Sequence, residues 1–375
     1  MNKEADVAIV GAGIVGLAHA YQCLLKGKKV VLFERESFAV GASVRNFGMV
    51  WPIGQAAGEG LKLALASRRI WNEIATQAGI WINQNGSLHL AYHQDEWDVL
   101  QEFIGMNSSS YDTKLLSPKE VMALCPSVNS KGLIGGMWSS TECIINPREA
   151  IRAIPLWLKE KFGLELRFEN LVREISLPYV KTSKETWKVE KVIVCNGADF
   201  ETLYPEEFAK QNITKCKLQM MKARFKNKPV NIGPSLCAGL TLRHYSAFAN
   251  CPSLKKVGER YDEENIAFKN HGIHVLLSQS NYGELIIGDS HHYGNTLEPF
   301  DSEDVNQIIL DYFKTFTSFD DLEIVERWNG TYPKVKNQFN LILRPEEDVM
   351  IVNGLGGAGM TLSFGLAEKI ISSIY

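Results

Sequence analysis

The chain has 375 residues, a formal net charge of −3 and 45% hydrophobic residues. That length exceeds what one hydrophobic core usually serves, so two domains are expected, and the near-neutral charge offers no broad basic field for nucleic acid. No apolar run beyond the N-terminal one is long enough to cross a bilayer, so no membrane insertion is expected, and seven scattered cysteines without a CxxC pair fit a reducing cytoplasm.

The first predicted strand, VAIV, meets GAGIVG and the helix-like LAHAYQCLLKG, and a second apolar run, KVVLFE, ends on Glu34. Residues 7–25 are apolar enough to imitate a signal peptide, but Glu4 and Asp6 occupy the flank where such a peptide needs positive charge. A βαβ unit explains the pattern better. Gly11 allows a tight exit from the strand, Gly13 lets bare backbone approach a pyrophosphate, and Gly16 permits close packing of helix on strand. The positive end of the helix dipole then favours an anionic ligand. Glu34, eighteen residues after Gly16, is placed to accept hydrogen bonds from ribose hydroxyls and to repel a 2′-phosphate, which points away from NADP.

Next comes a glycine-rich loop, GASVRNFGMVWPIG, with Ser43, Arg45 and Asn46, followed by the helical stretch EGLKLALASRRIWNEIATQAG. GSLHLAYH alternates like a strand, and DEWDVLQEFIG has helical periodicity. INPREAIRAIPLWLKEKFG predicts a helix with Asn146 as cap and Pro147 in its first turn. LELRFENLVREI and EKVIVCNGA read as strands, as do LQMMKARF, HVLLSQS and ELIIGDS, the last three in an antiparallel region separated by turn residues. ERWNGTYPK leads to DVMIVNGLGGAGMTLSFGLAEKI, read as strand, glycine turn and helix. Two glycine turns at helix N-termini, about three hundred residues apart, suit FAD better than NAD. Its pyrophosphate would lie on the first turn, and N–H groups near Gly359, Met360 and Thr361 would face the flavin pyrimidine oxygen.

The GAGIVG unit with Glu34, the GAS loop, VIVCNGA, RWNG and GLGGAGMT occur in this order across the whole chain. In this the chain resembles the D-amino-acid oxidase, glycine oxidase and sarcosine oxidase superfamily of FAD enzymes. The strings GASVRNFGMVWPIGQ, KLQMM, TLRHYSAF and GELIIGDSHHYG resemble a bacterial subgroup of it associated with aminophosphonate breakdown. The resemblance implies an α/β chain, α+β overall, with a Rossmann-like FAD-binding domain from residues 1–84, 146–216 and 325–375. A discontinuous antiparallel-sheet substrate domain would come from 85–145 and 217–324. It further implies adenine contact by the Val172 backbone, diphosphate contact by Ser43, and flavin contact by Asn46, Gly48 and Met49. Arg35, Arg45, Gly197, Gly330 and Gly357 would complete the cofactor site.

The sequence departs from that pattern in two places. Relatives that oxidise amino acids often carry arginine in a WxGxRP string, where this chain has Trp328, Gly330, Tyr332 and Pro333, and the histidine of a GxGGHG-like turn is Ala358. No cysteine follows Cys251, so FAD is expected to be held noncovalently. The resemblance implies hydride transfer from a small anionic amine to flavin N5, with oxygen as electron acceptor. Arg243 is the expected anion clamp, helped by His244, Tyr245, His291, His292, Arg45 and Tyr332. Oxidation of a 2-hydroxy acid or glycerol phosphate, or a nonenzymatic flavin-binding role, stays open.

Overall fold

The strand Glu4–Val10 is apolar and buried from Val7 to Val10, and it pairs in parallel with Val30–Phe33 on one edge and Thr186–Val194 on the other. The computed structural model describes residues 3–375, so the start of the first expected segment, residues 1–2, lies outside the described residues. Between the first two strands runs the helix Ile14–Leu25. The eight-stranded sheet continues through Glu165–Arg167 at one edge and Val172–Ser176 at the other, with Val349–Asn353 parallel to Thr186–Val194. Helices Ile14–Leu25, Glu59–Ala78, Pro147–Phe162 and Gly359–Ile374 share one core with this sheet. Asn146 caps the third of them, its side chain accepting from the Arg148 N–H at 3.2 Å, and Pro147 follows as predicted.

The second sheet is nine-stranded, and its predicted strands are present as Ser87–Ala91, Ile213–Phe225, Leu276–Gln279 and Leu285–Gly288. The last three pair antiparallel, as expected for this region.

The ERWNGTYPK segment, to which no element is assigned from sequence, belongs to a single strand, Leu322–Val335, paired with Ile213–Phe225 from Cys216–Tyr332 through Met220–Trp328 and beyond. It lies on the sheet edge, where a proline without an N–H is tolerated. The expected segment boundaries near 216 and 325 therefore fall inside two continuous strands of the second sheet. Among the described residues no helix is long and apolar enough to cross a membrane.

Candidate active site

A cavity of about 1290 Å³ is lined by residues of both sheets, from Gly11, Gly13 and Glu34 at one end to His244, His274 and Tyr332 at the other. That exceeds the volume of an ordinary small-ligand pocket and leaves room for a dinucleotide and a substrate together. At the nucleotide end, Gly11 has φ +101°, and a Cβ there would lie 2.4 Å from the Cys195 carbonyl oxygen. A Cβ on Gly16 would lie 1.9 Å from the Gly11 oxygen, so this glycine packs the helix on its strand, as expected, and does not line the cavity.

The fit to an extended anionic cofactor rests on two helix N-termini that line this one cavity. Neither the helix starting after Gly13 nor the one starting after Ala358 has a side-chain cap or an acidic residue in its first turn. Their partial positive charge is left for a ligand. The Ser43 hydroxyl accepts from the Ile14 N–H at 2.9 Å, which ties the GAS loop to the first turn. Glu34 is oriented by the N–H groups of Ala12 at 2.9 Å and Glu36 at 3.1 Å.

Most other expected cofactor residues line the cavity, including Arg35, Arg45, Met49, Val172, Gly197 and Gly330, together with the Gly357–Thr361 turn. Gly48 does not. Its φ is +74°, and a Cβ there would lie 2.0 Å from the Ile145 oxygen, so it is needed for packing against the Cys143–Ile145 strand. Asn46 lines the cavity, but its amide holds the loop together, donating to Ala42 and Ser43 and accepting from the Gly48 N–H. Gly197 is held by Asn353, whose amide donates to its carbonyl at 2.9 Å.

At the substrate end the expected clamp is misplaced. Arg243 is not among the cavity residues and pairs with Asp262 at 2.8 Å, because the short helix Gly239–Arg243 turns its last residue toward the helix Leu254–Glu264. Its neighbours His244 and Tyr245 do face the cavity, as do His291 and Tyr332, whereas His292 lies outside it against His271, with ring nitrogens 3.0 Å apart.

Sequence reasoning missed His274 and Asp289. Pairing the predicted strands HVLLSQS and ELIIGDS about the Asn281–Gly283 turn sets Leu276 opposite Gly288, and this register brings His274 beside Asp289. Their side chains meet at 3.0 Å between Nε2 and Oδ1, and His291 Nε2 lies 3.9 Å from the other carboxylate oxygen. The His244 and His274 rings stack with centroids 3.7 Å apart and planes 27° from parallel, and His291 stacks on His274 at 5.0 Å and 21°.

His244 is open to the cavity yet enclosed by protein on its other sides, and this enclosure, with the neighbouring His274, His291 and Lys334, holds its pKa well below the usual histidine range. Burial also lowers His291, with Asp289 acting in the opposite direction. Burial raises the Tyr245 and Tyr332 phenols, which stay neutral donors. Of the cavity-lining cations, Arg35 is paired with Asp199 and Lys215 with Glu201, while Lys334 and Arg45 have no carboxylate partner among the described residues. Arg45 donates instead to the Asn329 carbonyl at 3.2 Å. Ring nitrogens of His244, His274 and His291 come within 4.8 Å of one another, with the His244 and His291 planes tilted by 42°.

Two helix ends whose N-cap residues give no side-chain cap, an acid just after the second strand and one cavity that continues beyond them fit a dinucleotide-binding fold. The chain belongs to the FAD dependent oxidoreductase family, whose model matches residues 6–372, and its cofactor is FAD. Among curated relatives it is 25% identical over 201 residues to a glycerol 3-phosphate dehydrogenase of Caloramator mitchellensis, covering 51% of this chain and 42% of that protein. It is 27% identical over 161 residues to a glycine oxidase of Bacillus licheniformis, covering 41% of this chain and 42% of that one. The chain thus spans less than half the length of these relatives. An L-proline dehydrogenase structure from P. horikoshii superposes with a TM-score of 0.81 at 21% identity, covering 100% of this chain and 94% of that one. A glycine oxidase structure from Geobacillus kaustophilus gives 0.78 at 18%, covering 99% and 94%. These two likenesses establish the fold.

Proposed function

We propose that this chain oxidises a small anionic amine, an aminophosphonate in preference to an ordinary amino acid, to an imine that water hydrolyses to a carbonyl product. The observation that supports this most is the composition of the substrate end. Lys334 and three imidazoles line it, and Tyr332 stands where amino-acid-oxidising relatives often carry a carboxylate-binding arginine. A neutral phenol is a weaker partner for a carboxylate than a planar guanidinium, while a cluster of N–H donors suits the three oxygens of a phosphonate.

FAD, when bound, accepts a hydride at N5. The chain's own residues do the rest by binding and orientation. Tyr245 and Tyr332 offer neutral O–H donors, the imidazoles and Lys334 hold the anion, and Phe47, Leu218, Met220 and Leu276 make the pocket apolar around the reacting carbon. All seven cysteines are buried, and the one that lines the cavity, Cys195, packs beneath Gly11, which supports noncovalent FAD. Oxygen as acceptor and a cytoplasmic setting belong to the same reading.

A second reading keeps the anion and replaces the amine by an alcohol, and the match to a glycerol 3-phosphate dehydrogenase favours it. One anaerobic screen separates them. The yellow protein is mixed with aminoethylphosphonate, its N-methyl derivative, glycine, sarcosine, D-alanine and glycerol phosphate, and flavin bleaching is followed. Bleaching by the aminophosphonates first supports the amine reading, and fastest bleaching by glycerol phosphate overturns it.

A further inference from the structure

We infer that the stacked imidazoles of His244, His274 and His291, backed by Asp289 and flanked by Lys334, form a receptor for a tetrahedral dianion that takes up a proton when the anion binds. The inference rests on the anionic-substrate reading above and adds which residues make the receptor and how its charge is set.

Three observations carry it. First, the site is built and lacks a partner. His274 is 3% exposed, and its Nδ1 has no hydrogen-bond partner within the protein. Second, the order of the groups is directional. Asp289 is 3% exposed beneath the stack, His274 and His291 lie against it, and His244 presents its ring to the cavity beside Tyr245. A buried carboxylate behind a stack of imidazoles favours a positive charge on the stack once another anion faces it. Third, the resting charge is incomplete. Burial, the neighbouring imidazoles and Lys334 hold His244 and His291 below the usual histidine range, and Lys334 and Arg45 are the cavity-lining cations without a carboxylate partner among the described residues.

The groups facing the stack are Asp289 and Lys334, the phenols Tyr245, Tyr293 and Tyr332, and, behind Tyr332, the Cys216 thiol. The His271 carbonyl accepts from the His291 backbone N–H at 2.8 Å, and His271 does not line the cavity. None of these thiols or phenols is a cation, so a dianion is balanced by Lys334 and by protonation of the stack. The sign follows. A bound dianion raises the imidazole pKa, the protonated complex is the tighter one, and affinity present at low pH is lost as pH rises through the pKa of the complex.

The test uses the FAD-loaded protein and probes without an amine, namely ethylphosphonate, ethyl phosphate and propionate, titrated calorimetrically in two buffers of different ionisation enthalpy. At about pH 8.5 ethyl phosphate is a dianion and ethylphosphonate mostly so; uptake of about half a proton or more per site then places a proton on the complex, and its loss in His244→Asn assigns that proton to the stack. The expected result is such uptake with ethylphosphonate, binding at least about tenfold tighter than propionate, and loss of both in His244→Asn with FAD content unchanged. His274→Asn is a second variant with the same expectation. Ethyl phosphate distinguishes the anion's source, and tighter binding of it than of ethylphosphonate assigns the receptor to phosphate esters. Binding without proton uptake, equal binding of propionate, or binding abolished by a chelator overturns the inference. Bleaching by amines in the anaerobic screen is independent of these probes, so the amine reading can stand while the receptor fails.

Discussion

Arg243 shows how much a single side chain's direction decides. Its position in TLRHY marks it as an anion clamp, but the guanidinium is paired with Asp262 outside the cavity, and Asp262 also binds Lys269. Arg243→Met is therefore expected to leave kcat/KM for the best amine within about threefold and to lower stability by about 1 kcal/mol or less, the range of a partly exposed ion pair. Steady-state kinetics beside thermal unfolding checks this, and a hundredfold loss of kcat/KM would return Arg243 to the site. Gly13 is the contrasting residue. A Cβ there would lie 3.2 Å from the Ser43 hydroxyl, on the surface where the pyrophosphate is expected, so Gly13→Val should purify with little or no FAD. Wild-type flavin content in that variant would refute the placement.

Among the elements, the C-terminal helix does the most to shape the flavin end. Gly359–Ile374 lies against Glu59–Ala78 so closely that a Cβ on Gly365 would come 2.2 Å from the Leu63 carbonyl oxygen, and the Gly365 N–H donates to Ser67 at 2.8 Å. At its other end Trp71 donates to the Met360 carbonyl at 2.8 Å, and the Trp51 N–H donates to the Thr361 hydroxyl at 2.9 Å. These contacts hold the Gly357–Thr361 turn against the cavity. Gly365→Ala should push the two helices apart, cost about 1–3 kcal/mol by overpacking, and weaken FAD retention because the turn moves with its helix. Thermal midpoint and the flavin-to-protein absorbance ratio should fall together. A stable variant with full flavin would show that this close approach is not required.

For the whole molecule, acid stability follows from histidines buried without charge. His19, in the first helix, is held by the Val15 carbonyl at 2.7 Å and is lowered to about 4, and His89, between Trp51 and Phe248 with both ring nitrogens unpartnered, is lowered to about 3. Burial is the main cause in both. Below about pH 6.5 the unfolded chain binds protons at these positions and the folded chain does not, so stability is complete above that pH and is lost as pH falls toward 4. Each pH unit across that window is worth about 1.4 kcal/mol per histidine. Urea midpoints should fall steadily from about pH 6.5 to about pH 4.5, and His89→Leu should make the decline shallower. An unchanged slope in that variant would exclude His89 as a contributor.

The nucleotide half was legible in sequence because its chemistry is local. Gly11, Gly13 and Gly16 act within one strand–turn–helix unit, and Glu34 ends the very next strand, so spacing along the chain is also spacing in the fold. The same locality explains why the Asn146 cap and the antiparallel strands were readable. The substrate end was only half legible. Histidines in TLRHY and GDSHHY stand out by residue type, but whether they face the cavity depends on turns and packing partners that periodicity does not encode, which is why His244 and His291 enter it while Arg243 and His292 do not. The edge strand Leu322–Val335 holds Pro333, which is tolerated there because one strand edge is not part of a ladder. Sequence by itself therefore pointed to a dinucleotide site through short-range geometry, and to FAD and the family of folds through the second glycine turn and the resemblance of its motifs. Tertiary structure alone decided which ionisable groups meet, since bringing His274, Asp289 and His244 into contact takes strand register, a short helix and a shared cavity.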